Sequence, residues 1–499
     1  MPEPAFTAAD VSVVIPTRNR WDILAMTLEA LRDQTSSGAE TIVVVNGEDQ
    51  SPPDLPGIRL VRTEDAGPGA GRNLGAAAST RRIVMFLGDD TIPELDLVQR
   101  HVASHNEFPA LTDAILGLVQ WHPRVARNPL NRWLDWSNTQ FDYQLLDGRS
   151  GEDVGPGRMF ASNLSMKREL FTSVGGFDTD FYFGYEDLDL GVRLADKGLR
   201  LIYQPAAQVR HLHDYTWDAI ARRFEGVAAS ERLMCHKHPT VEPFFLRRCQ
   251  TSLARRRTLP VTRLADVIPA WLGPVRRRVR DHANAVYYRR LAPEFIRRFD
   301  AAETLCDLVD YLDGEFTPTK LNNARKATSE VDRVYAWTAS AMADTHEPAL
   351  SLLKSEAPEG STVIDWAAHD GSAGIDLARA GYMVTFRDGE DIDSDYVRYR
   401  CAAHHIAADL VADADLPPAV DVVLCLDHLE TSPTATEQLD RIEAAASIVV
   451  VNAAQQADGG MDAAALMERA ARNGLIGTVP DRSGRTVVAY RGRRARGRQ

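Results

Sequence analysis

The chain has 499 residues, and its composition, 44% hydrophobic, 25% charged and 7% aromatic, is that of an ordinary globular protein of about three domains. Its net charge of −13 argues against nucleic acid as a partner, because an acidic surface repels a polyanion. No apolar run reaches the ~20 residues that span a bilayer, and no secretory signal pattern opens the chain, so we expect a cytoplasmic protein that contacts a membrane at most peripherally, at its inner face.

Strand-like and helix-like segments alternate in the first part of the chain. Short apolar runs rich in β-branched residues predict buried strands at residues 11–16, 41–47, 58–63 and 83–87. After the first of them, Leu24, Leu28 and Leu31 recur on one helical face, with Asn19 as the predicted N-cap. The run GPGAGRNLGAAAST begins as a glycine-rich loop and continues as a helix. This alternation predicts an α/β fold.

Two adjacent acids, Asp89 and Asp90, follow the fourth predicted strand in the run FLGDDTIPELD. Ligands of open α/β sheets bind beyond the carboxyl ends of the strands, so the pair lies where chemistry is expected. Like charges repel, so either a bound cation or an ordinary acidic surface turn accounts for the pair. Mn²⁺ and Mg²⁺ prefer oxygen ligands and are often held by only one or two carboxylates, so the pair suits a divalent cation.

The character of the sequence changes twice after this α/β part. Residues 215–348 lack alternating strands and carry clustered arginines, so we expect a helical region, and strand–helix alternation returns from residue 361. The predicted domains are residues 1–240, 241–349 and 350–490, followed by a basic tail at 491–499. Five widely spaced cysteines without a C-x-x-C pair argue for reduced thiols and against a cysteine zinc site.

Five motifs of the first domain occur in an order that matches a known family: SVVIPTRNR, GRNLG, FLGDD, GGFDTDFYFGYEDLDLGVRL and VRHLH. Residues 10–240 thereby resemble the family 2 inverting glycosyltransferases, which have a GT-A fold. The resemblance implies transfer of a sugar from a nucleoside-diphosphate donor to the hydroxyl group of a glycan or a lipid-linked acceptor. UDP is the expected donor nucleotide.

The resemblance also implies a divalent cation, Mn²⁺ or Mg²⁺, on the donor diphosphate. Asp90 matches the family's metal-binding acid, while Gly88 stands where the D-x-D motif has its first carboxylate. His211 resembles the late histidine that completes the metal site. His213 is its competitor, because alternation along a strand puts both on one face. A structural histidine is the alternative for either one.

Direct displacement with inversion needs a base that takes the proton of the attacking hydroxyl group. The family's base maps to Asp187 in GYEDLDLG, with Glu186 beside it to orient the acceptor or tune the pKa of Asp187. Asp189 is expected to serve only the first turn of a helix, where negative charge is favourable. The nucleotide-binding positions implied by the resemblance are Pro16, Thr17, Arg18, Asn46, Arg72 and Asp89. Val45 or Asn46 stands where the family often has an aspartate for uracil, which leaves uracil and guanine both open.

Aromatic and arginine residues each allow two interpretations. Trp121, Trp133 and Trp136 either stack on sugar rings or belong to the core. The arginines of residues 247–298 meet an anionic membrane, a lipid-diphosphate acceptor or an acidic glycan, or else they form a solvated helix surface paired with the acidic remainder of the chain.

The run STVIDWAAHDGSAGIDLARAGYMVTFRDGED resembles the opening of a class I S-adenosylmethionine-dependent methyltransferase. Asp365 matches the acid that ends the first strand, Gly371 the remaining glycine of the cofactor loop, and Asp388 the acid that holds the ribose. Ala367 and His369 replace other glycines of that loop, and side chains at close-approach positions crowd a cofactor. We therefore expect a Rossmann-like, methyltransferase-type domain whose S-adenosylmethionine binding is lost or altered.

Three functions are compatible with these motifs. They are a glycosyltransferase, a bifunctional enzyme that glycosylates and then methylates a glycan, and a non-catalytic glycan-binding protein or scaffold. The scaffold is motivated by Gly88 and the missing uracil aspartate, but it gives no chemical role to the acids of GYEDLDLG or the histidines of VRHLH. The glycosyltransferase is therefore preferred, with the sugar, the linkage and the oligomeric state left open by the sequence.

Overall fold

The structure is a computed structural model. It describes residues 5–46, 55–63, 67–255, 262, 264–269, 271–313, 346–366, 370–388, 394–407, 409–412, 417–429, 432–455, 460–481 and 484–494. The chain divides into two compact units, residues 1–299 and 300–499, and each unit is built on its own sheet.

An eight-stranded mixed sheet forms the centre of the first unit. Its strands are β1 (Val11–Thr17), β2 (Glu40–Asn46), β3 (Arg59–Thr63), β4 (Ile83–Leu87), β5 (Thr91–Pro93), β6 (Asp113–Trp121), β7 (Asn163–Lys167) and β8 (Arg200–His211). They lie in the order β3-β2-β1-β4-β7-β6-β8-β5. Strands β3, β2, β1 and β4 run parallel, so their carboxyl ends meet at one edge, and β7 runs antiparallel to its neighbours β4 and β6.

Helices cover both this sheet and the region that follows it. They are α1 (Trp21–Arg32), α2 (Pro68–Ala78), α3 (Leu97–Glu107), α4 (Pro129–Trp136), α5 (Arg168–Thr172), α6 (Glu186–Ala195), α7 (Trp217–Lys237), α8 (Phe244–Ala254) and α9 (Gly273–Ala301). Leu24 and Leu28 of α1 are buried, as their spacing predicts. The predicted cap is wrong, because Arg20 is the N-cap of α1 and Asn19 has a left-handed backbone with φ of 55°.

The arginine-rich middle region is helical, as predicted. Helices α7, α8 and α9 bury aromatic side chains such as Phe224, Tyr288 and Phe295 against Trp133. Several arginines make internal contacts: Arg290 lies 4.0 Å from the centre of the Trp217 ring, and Arg248 donates to a backbone carbonyl in the turn after α4. Among the described residues, no helix has the length and hydrophobicity needed to cross a bilayer.

The second unit contains a seven-stranded sheet. Its strands are β9 (Thr362–Asp365), β10 (Met383–Asp388), β11 (Asp409–Ala412), β12 (Val420–Cys425), β13 (Ala446–Ala453), β14 (Leu475–Pro480) and β15 (Thr486–Arg491), in the order β11-β10-β9-β12-β13-β15-β14. The first five positions of this order are parallel, and β15 is antiparallel to β13 and β14. The helices are α10 (Glu303–Asp313), α11 (Glu347–Glu356), α12 (Ser372–Arg379), α13 (Ser394–Ala403), α14 (Ala435–Ala445) and α15 (Ala463–Asn473). This is the predicted Rossmann-like architecture.

Candidate active site

The acid pair of FLGDD lies at the carboxyl end of β4, directly before β5. Asp89 is 1% exposed and Asp90 is 7% exposed, so both carboxylates are withdrawn from bulk water. Gly88 brings the backbone close to them, because a Cβ placed on it would lie 3.1 Å from Asp90 Oδ1. An ordinary surface turn does not bury two acids in this way, since an unpaired buried charge is costly.

Asp90 faces two histidines: His211, the last residue of β8, and His213, two residues after it. His211 Nε2 is 3.4 Å from Asp90 Oδ1, and His213 Nδ1 is 3.3 Å from Asp90 Oδ2. Burial opposes ionisation of Asp90, yet the His211 imidazole, hydrogen bonds from both histidines and the charge of Arg20 hold the pKa of Asp90 well below its ordinary value. The sequence left His211 and His213 as competitors, and the structure brings both to the same carboxylate.

The donor set of this cluster suits a divalent cation. One ligand atom from each of Asp90, His211 and His213 lies within 4.8 Å of the others. Bonds of ~2.1 Å at right angles would place the ligands of an ion ~3.0 Å apart, close to the 3.4 and 3.3 Å that separate Asp90 from His211 and His213. The Nδ1 atom of His211 is buried and has no hydrogen-bond partner among the described residues, so the imidazole is not committed to another contact on that side. Carboxylate and imidazole ligands together are acceptable to Mn²⁺ and to Mg²⁺ less readily.

Arg20 is the site residue that the sequence analysis did not single out. Its Nη1 lies 2.8 Å from Asp90 Oδ2, and its Nε and Nη2 both donate to Asp89. The signal for it was present in the motif SVVIPTRNR, where a cationic side chain follows a strand that ends at the same edge as the acids. Arg20 therefore supplies the charge that permits two neighbouring carboxylates to be buried.

Asp89 is held by hydrogen bonds from two threonine hydroxyl groups. Thr17 Oγ1 donates to Asp89 Oδ2 at 2.8 Å, and Thr27 Oγ1 donates to the backbone oxygen of Asp89 at 2.8 Å. Two of the predicted nucleotide-binding residues, Thr17 and Asp89, are thus brought into direct contact. Their contact with a nucleotide stays a prediction.

The other predicted nucleotide-binding residues lie at or just beyond the carboxyl ends of β1 and β2 and on α2. Pro16 is half-buried near the end of β1, and Arg18 is exposed directly after that strand. Asn46 ends β2, and its side-chain amide donates to the backbone oxygen of Gly67 at 2.7 Å. A Cβ on Gly71 would lie 2.3 Å from Asn46 Oδ1, so glycine is required for this close approach of α2 to β2.

The acids of GYEDLDLG begin α6, and they differ in their surroundings. Glu186 Oε1 accepts from Arg72 Nη1 at 2.7 Å. This contact links the acid next to the predicted catalytic base to a predicted nucleotide-binding residue. Asp187 Oδ1 accepts from the backbone N–H of Leu188 at 2.9 Å, and a weaker contact at 3.5 Å joins Oδ2 to the backbone of Ala161. Burial and the neighbouring Glu186 carboxylate raise the pKa of Asp187 to about 7, near the value that suits a general base.

Tyr185 and Glu231 fix the backbone that carries these acids. Tyr185 is the N-cap of α6 and has a left-handed φ of 70°, which is strained for a residue with a large side chain. Its hydroxyl group donates to Glu231, which is 1% exposed and also accepts from the backbone N–H groups of Phe245 and Leu246 at 2.7 and 2.8 Å. Tyr185 and Glu231 are 46 residues apart in the chain, so no local sequence pattern predicted their contact. The strained residue is held in place immediately before the acid pair.

Aromatic rings connect the histidine cluster with the acids of α6. The ring centre of Phe141 is 6.1 Å from that of His211 and 5.3 Å from that of Phe160, whose neighbour Ala161 contacts Asp187. The pKa of Tyr143 is raised mainly by burial, then by the charges of Tyr203 and Asp142. The charge of Asp187 makes a smaller contribution in the same direction. A continuous series of side-chain contacts therefore joins the candidate cation ligands to the candidate base.

A cavity of about 420 Å³ opens beside this site. It is lined by Leu118, Val119, Gln120, Trp121, Asp135, Tyr143, Gln144, Leu146, Asp147, Gly148, Tyr203 and Pro205. The Trp121 ring also lies 5.0 Å from His211, so Trp121 stands between the cavity and the cluster. Trp133 belongs to the core, with 0% exposure, and Trp136 is covered by Arg280 at 5.1 Å.

The predicted cofactor residues of the second unit lie at the carboxyl edge of its sheet. Asp365 ends β9 and is 2% exposed, and burial raises its pKa to about 7. Gly371 has the left-handed φ of 78° and is the N-cap of α12. Asp388 ends β10, but its side chain, like Ala367 and His369, lies outside the described residues. His346 Nε2 lies 2.9 Å from Asp427 Oδ2 just beyond β12, which places an imidazole of this chain at the same edge.

The mixed sheet and the acid pair at its carboxyl edge define the first unit as a GT-A type of α/β domain. A sequence model described as "Glycosyltransferase like family 2" matches residues 8–225, which contain every motif of that site. The chain belongs to this family.

Relatives named as glycosyltransferases match less than half of this chain. A pre-mycofactocin glycosyltransferase of Mycobacterium tuberculosis is 33% identical in an alignment of 244 positions that covers 46% of this chain and 49% of the relative. A glucosyl-dolichyl phosphate glucuronosyltransferase of Haloferax volcanii is 30% identical in an alignment of 224 positions that covers 40% of this chain and 68% of the relative. The chain thus spans about half the length of the first relative. A crystal structure of GalNAc-T7 with UDP, GalNAc and Mn²⁺ superposes with a TM-score of 0.34 and 16% identity, covering 48% of this chain and 52% of that one.

Proposed function

We propose that the protein is an inverting glycosyltransferase that moves a sugar from a nucleoside-diphosphate donor to a hydroxyl acceptor. The observation that carries the proposal is that ring contacts join a cluster suited to a divalent cation to the half-buried carboxylate of Asp187, whose pKa is raised to about 7. Transfer of a sugar from a diphosphate needs both functions: charge neutralisation at the leaving group and a base at the nucleophile.

In the proposed reaction, Asp187 accepts the proton of the acceptor hydroxyl group. The acceptor oxygen forms a bond to the anomeric carbon while the bond from that carbon to the diphosphate oxygen breaks, and the nucleoside diphosphate leaves with the electron pair. Asp90, His211 and His213 would hold Mn²⁺ or Mg²⁺, and the bound cation would neutralise the charge of the leaving diphosphate. Pro16, Thr17, Arg18, Asn46, Arg72 and Asp89 are the proposed contacts to the nucleotide.

The acceptor is proposed to enter through the cavity beside Trp121. Its wall combines aromatic rings (Trp121, Tyr143 and Tyr203) with amide and carboxylate groups, and this combination suits a sugar that has apolar faces and hydroxyl edges. A glycan or the sugar of a lipid-linked acceptor fits that description.

A donor panel tests the proposed reaction. UDP-, GDP- and dTDP-sugars are incubated with the protein and Mn²⁺ or Mg²⁺, with and without EDTA, and nucleotide release is measured. We expect metal-dependent release, with UDP-sugars as the first candidates. A thermal shift with the bare nucleotides runs in parallel, and no shift with any nucleotide would favour the scaffold instead.

The second unit is proposed to have lost S-adenosylmethionine binding, so that the protein is not bifunctional. The support is the buried His346–Asp427 contact at the sheet edge where a Rossmann-like domain binds its ligand, together with the burial of Asp365, which raises the pKa of that carboxyl group to about 7 and so disfavours its charged form. Titration calorimetry of the full chain with S-adenosylmethionine is expected to show no binding. Micromolar binding that Asp365→Asn abolishes would establish the bifunctional alternative.

A peripheral membrane contact is proposed for an interfacial patch, defined as residues 264–269 and 271–278. Its side chains Val267, Trp271 and Val275 are 68%, 80% and 51% exposed, and Arg277 and Arg278 beside them are exposed as well. Apolar and aromatic side chains next to arginines are typical of a surface that enters the headgroup region of an anionic membrane.

A further inference from the structure

Arg20 is the cation that faces the acid pair of FLGDD in this structure. Its Nε lies 3.1 Å from Asp89 Oδ2, its Nη2 donates to Asp89 Oδ1, and its Nη1 lies 2.8 Å from Asp90 Oδ2. One guanidinium thus bridges two carboxylates with three N–H groups. Such forked, charge-assisted contacts are stronger than contacts between neutral groups.

The same guanidinium also reaches the histidine cluster. Arg20 Nη1 is 3.4 Å from His213 Nδ1, which is itself 3.3 Å from Asp90 Oδ2. Arg20 therefore contacts two of the three side chains proposed to hold the divalent cation, Asp90 and His213. The carboxylate oxygen that receives Nη1 is the one turned toward His213, so an ion between those two ligands would take the place of that hydrogen bond.

Charge and exposure both indicate that Arg20, rather than the acids, moves when a divalent ion binds. Two positive charges a few ångströms apart repel, so a bound divalent ion weakens the contact of Arg20 with Asp90. The Arg20 side chain is 38% exposed, whereas the side chains of Asp89 and Asp90 are 1% and 10% exposed. The guanidinium can turn outward while the acids cannot, and phosphate is the other anion that its fork fits.

We propose that Arg20 is an internal counter-cation that competes with the divalent ion for Asp90 and is drawn off by the diphosphate of the donor. The inference rests on the proposed cation site. The glycine at position 88 is consistent with this role. Asp89, Asp90 and Arg20 together carry one net negative charge, whereas an acid at position 88, as in the D-x-D motif, would add a second. The cation then binds weakly alone and more tightly with the nucleotide, and by linkage each ligand strengthens the other to the same extent.

Binding of Mn²⁺ to the full chain, measured by the electron paramagnetic resonance signal of free Mn²⁺, tests this role. Wild type, Arg20→Gln, Arg20→Lys and Asp90→Asn are compared alone, with UDP and with GDP. Arg210→Gln is the charge-matched control, because Arg210 precedes His211 in sequence yet contacts Glu94 at 2.8 Å instead of Asp90. Thermal unfolding verifies that each variant is folded.

We expect Arg20→Gln to bind Mn²⁺ alone about tenfold more tightly than wild type, since one charge-assisted contact no longer competes. Arg20→Lys keeps a charge but not the fork, so it should fall between the two and gives the same direction of change if Arg20→Gln does not fold. Arg210→Gln should stay near wild type. UDP or GDP should tighten Mn²⁺ binding more in wild type than in Arg20→Gln.

The outcomes separate the role of Arg20 from the cation site itself. Equal Mn²⁺ affinity in wild type and both Arg20 variants, with loss in Asp90→Asn, would overturn the competition and leave the cation site intact. Absence of Mn²⁺ binding in every protein, with and without nucleotide, would overturn both proposals.

Discussion

Arg72 Nη1 lies 2.7 Å from Glu186 Oε1, and the two residues are only 8% and 6% exposed. This ion pair joins the glycine-rich helix α2 to the first residue of α6, and so connects the proposed nucleotide side of the site with the proposed base. Glu186 Oε2 has no hydrogen-bond partner among the described residues. Removal of Arg72 therefore leaves a carboxylate that is buried and uncompensated.

Arg72→Met is expected to lower the free energy of unfolding by about 3 kcal/mol, because the charge of Glu186 loses its partner in a buried site. The double variant Arg72→Met with Glu186→Gln should recover part of that loss, as urea unfolding in a double-mutant cycle would show. Arg100→Gln is the control, since it breaks an exposed pair with Asp96 that contributes at most about 1 kcal/mol. A cost no larger for Arg72→Met than for Arg100→Gln would mean that the buried pair is not coupled.

The pH dependence of turnover should follow Asp187. A base must be deprotonated to act, and burial together with Glu186 raises the pKa of Asp187 to about 7. We expect kcat/KM to rise with pH through one ionisation near 7 and to level off above it. In Glu186→Gln, which lacks the neighbouring negative charge, the limb should move to lower pH. A limb that stays in place in that variant would assign the ionisation to another group.

Two buried histidines make the first unit sensitive to acid. His101 contacts Asn163 and Ser165 at 3.0 and 2.8 Å, and His105 contacts the same serine at 2.8 Å. Burial lowers the pKa of His101 to about 4 and that of His105 well below its ordinary value. The unfolded chain titrates these groups at ~6.5, so below that pH it binds protons that the folded chain does not.

The resulting stability is fully present above pH ~6.5 and declines as the pH falls toward 4; for His101 the loss is about 2 kcal/mol between pH 7.5 and 5.0, and His105 acts in the same direction. Urea unfolding of wild type and His101→Gln at these two pH values measures the contribution of His101. The variant should lose less stability than wild type on acidification. An identical loss in both proteins would show that His101 is not kept neutral by the fold.

The interfacial patch should bind anionic vesicles. Co-sedimentation with phosphatidylglycerol-containing vesicles is expected to exceed that with pure phosphatidylcholine, and Trp271→Ser should reduce it about tenfold, because Trp271 is a large apolar side chain at the proposed interface. Leu95→Ser is a matched control, since Leu95 is 59% exposed but lies outside the patch. Equal binding by Trp271→Ser and Leu95→Ser would move the contact elsewhere or exclude it.

The sequence predicted where in the fold the candidate site residues lie better than it predicted which residues they contact. Parallel strands end at one edge, so acids after β4 and residues after β1 and β2 could be expected to meet there. Alternation along a strand could not choose between His211 and His213, because it puts both on one face, and the folded β8 end brings both to Asp90.

The contacts that were missed depend on residues far apart in the chain. Arg20 pairs with acids about 70 residues later, and Tyr185 is held by Glu231 on α7. Trp133 is a core residue because Tyr287 of α9 stacks on it at 4.4 Å, a contact that no local pattern encodes. Such long-range partners are decided by packing rather than by propensity or periodicity.

The most direct test of the account is Asp187→Asn. The amide cannot take the acceptor proton, so turnover should fall about 10³-fold, while binding of the donor nucleotide stays within about twofold of wild type. Asp196→Asn, at the exposed C-terminal end of the same helix, should retain wild-type turnover. Sugar transfer and nucleotide affinity are measured in the same preparations. Loss of transfer with intact nucleotide binding is the predicted result. Transfer that persists in Asp187→Asn would contradict the role of Asp187 as the base.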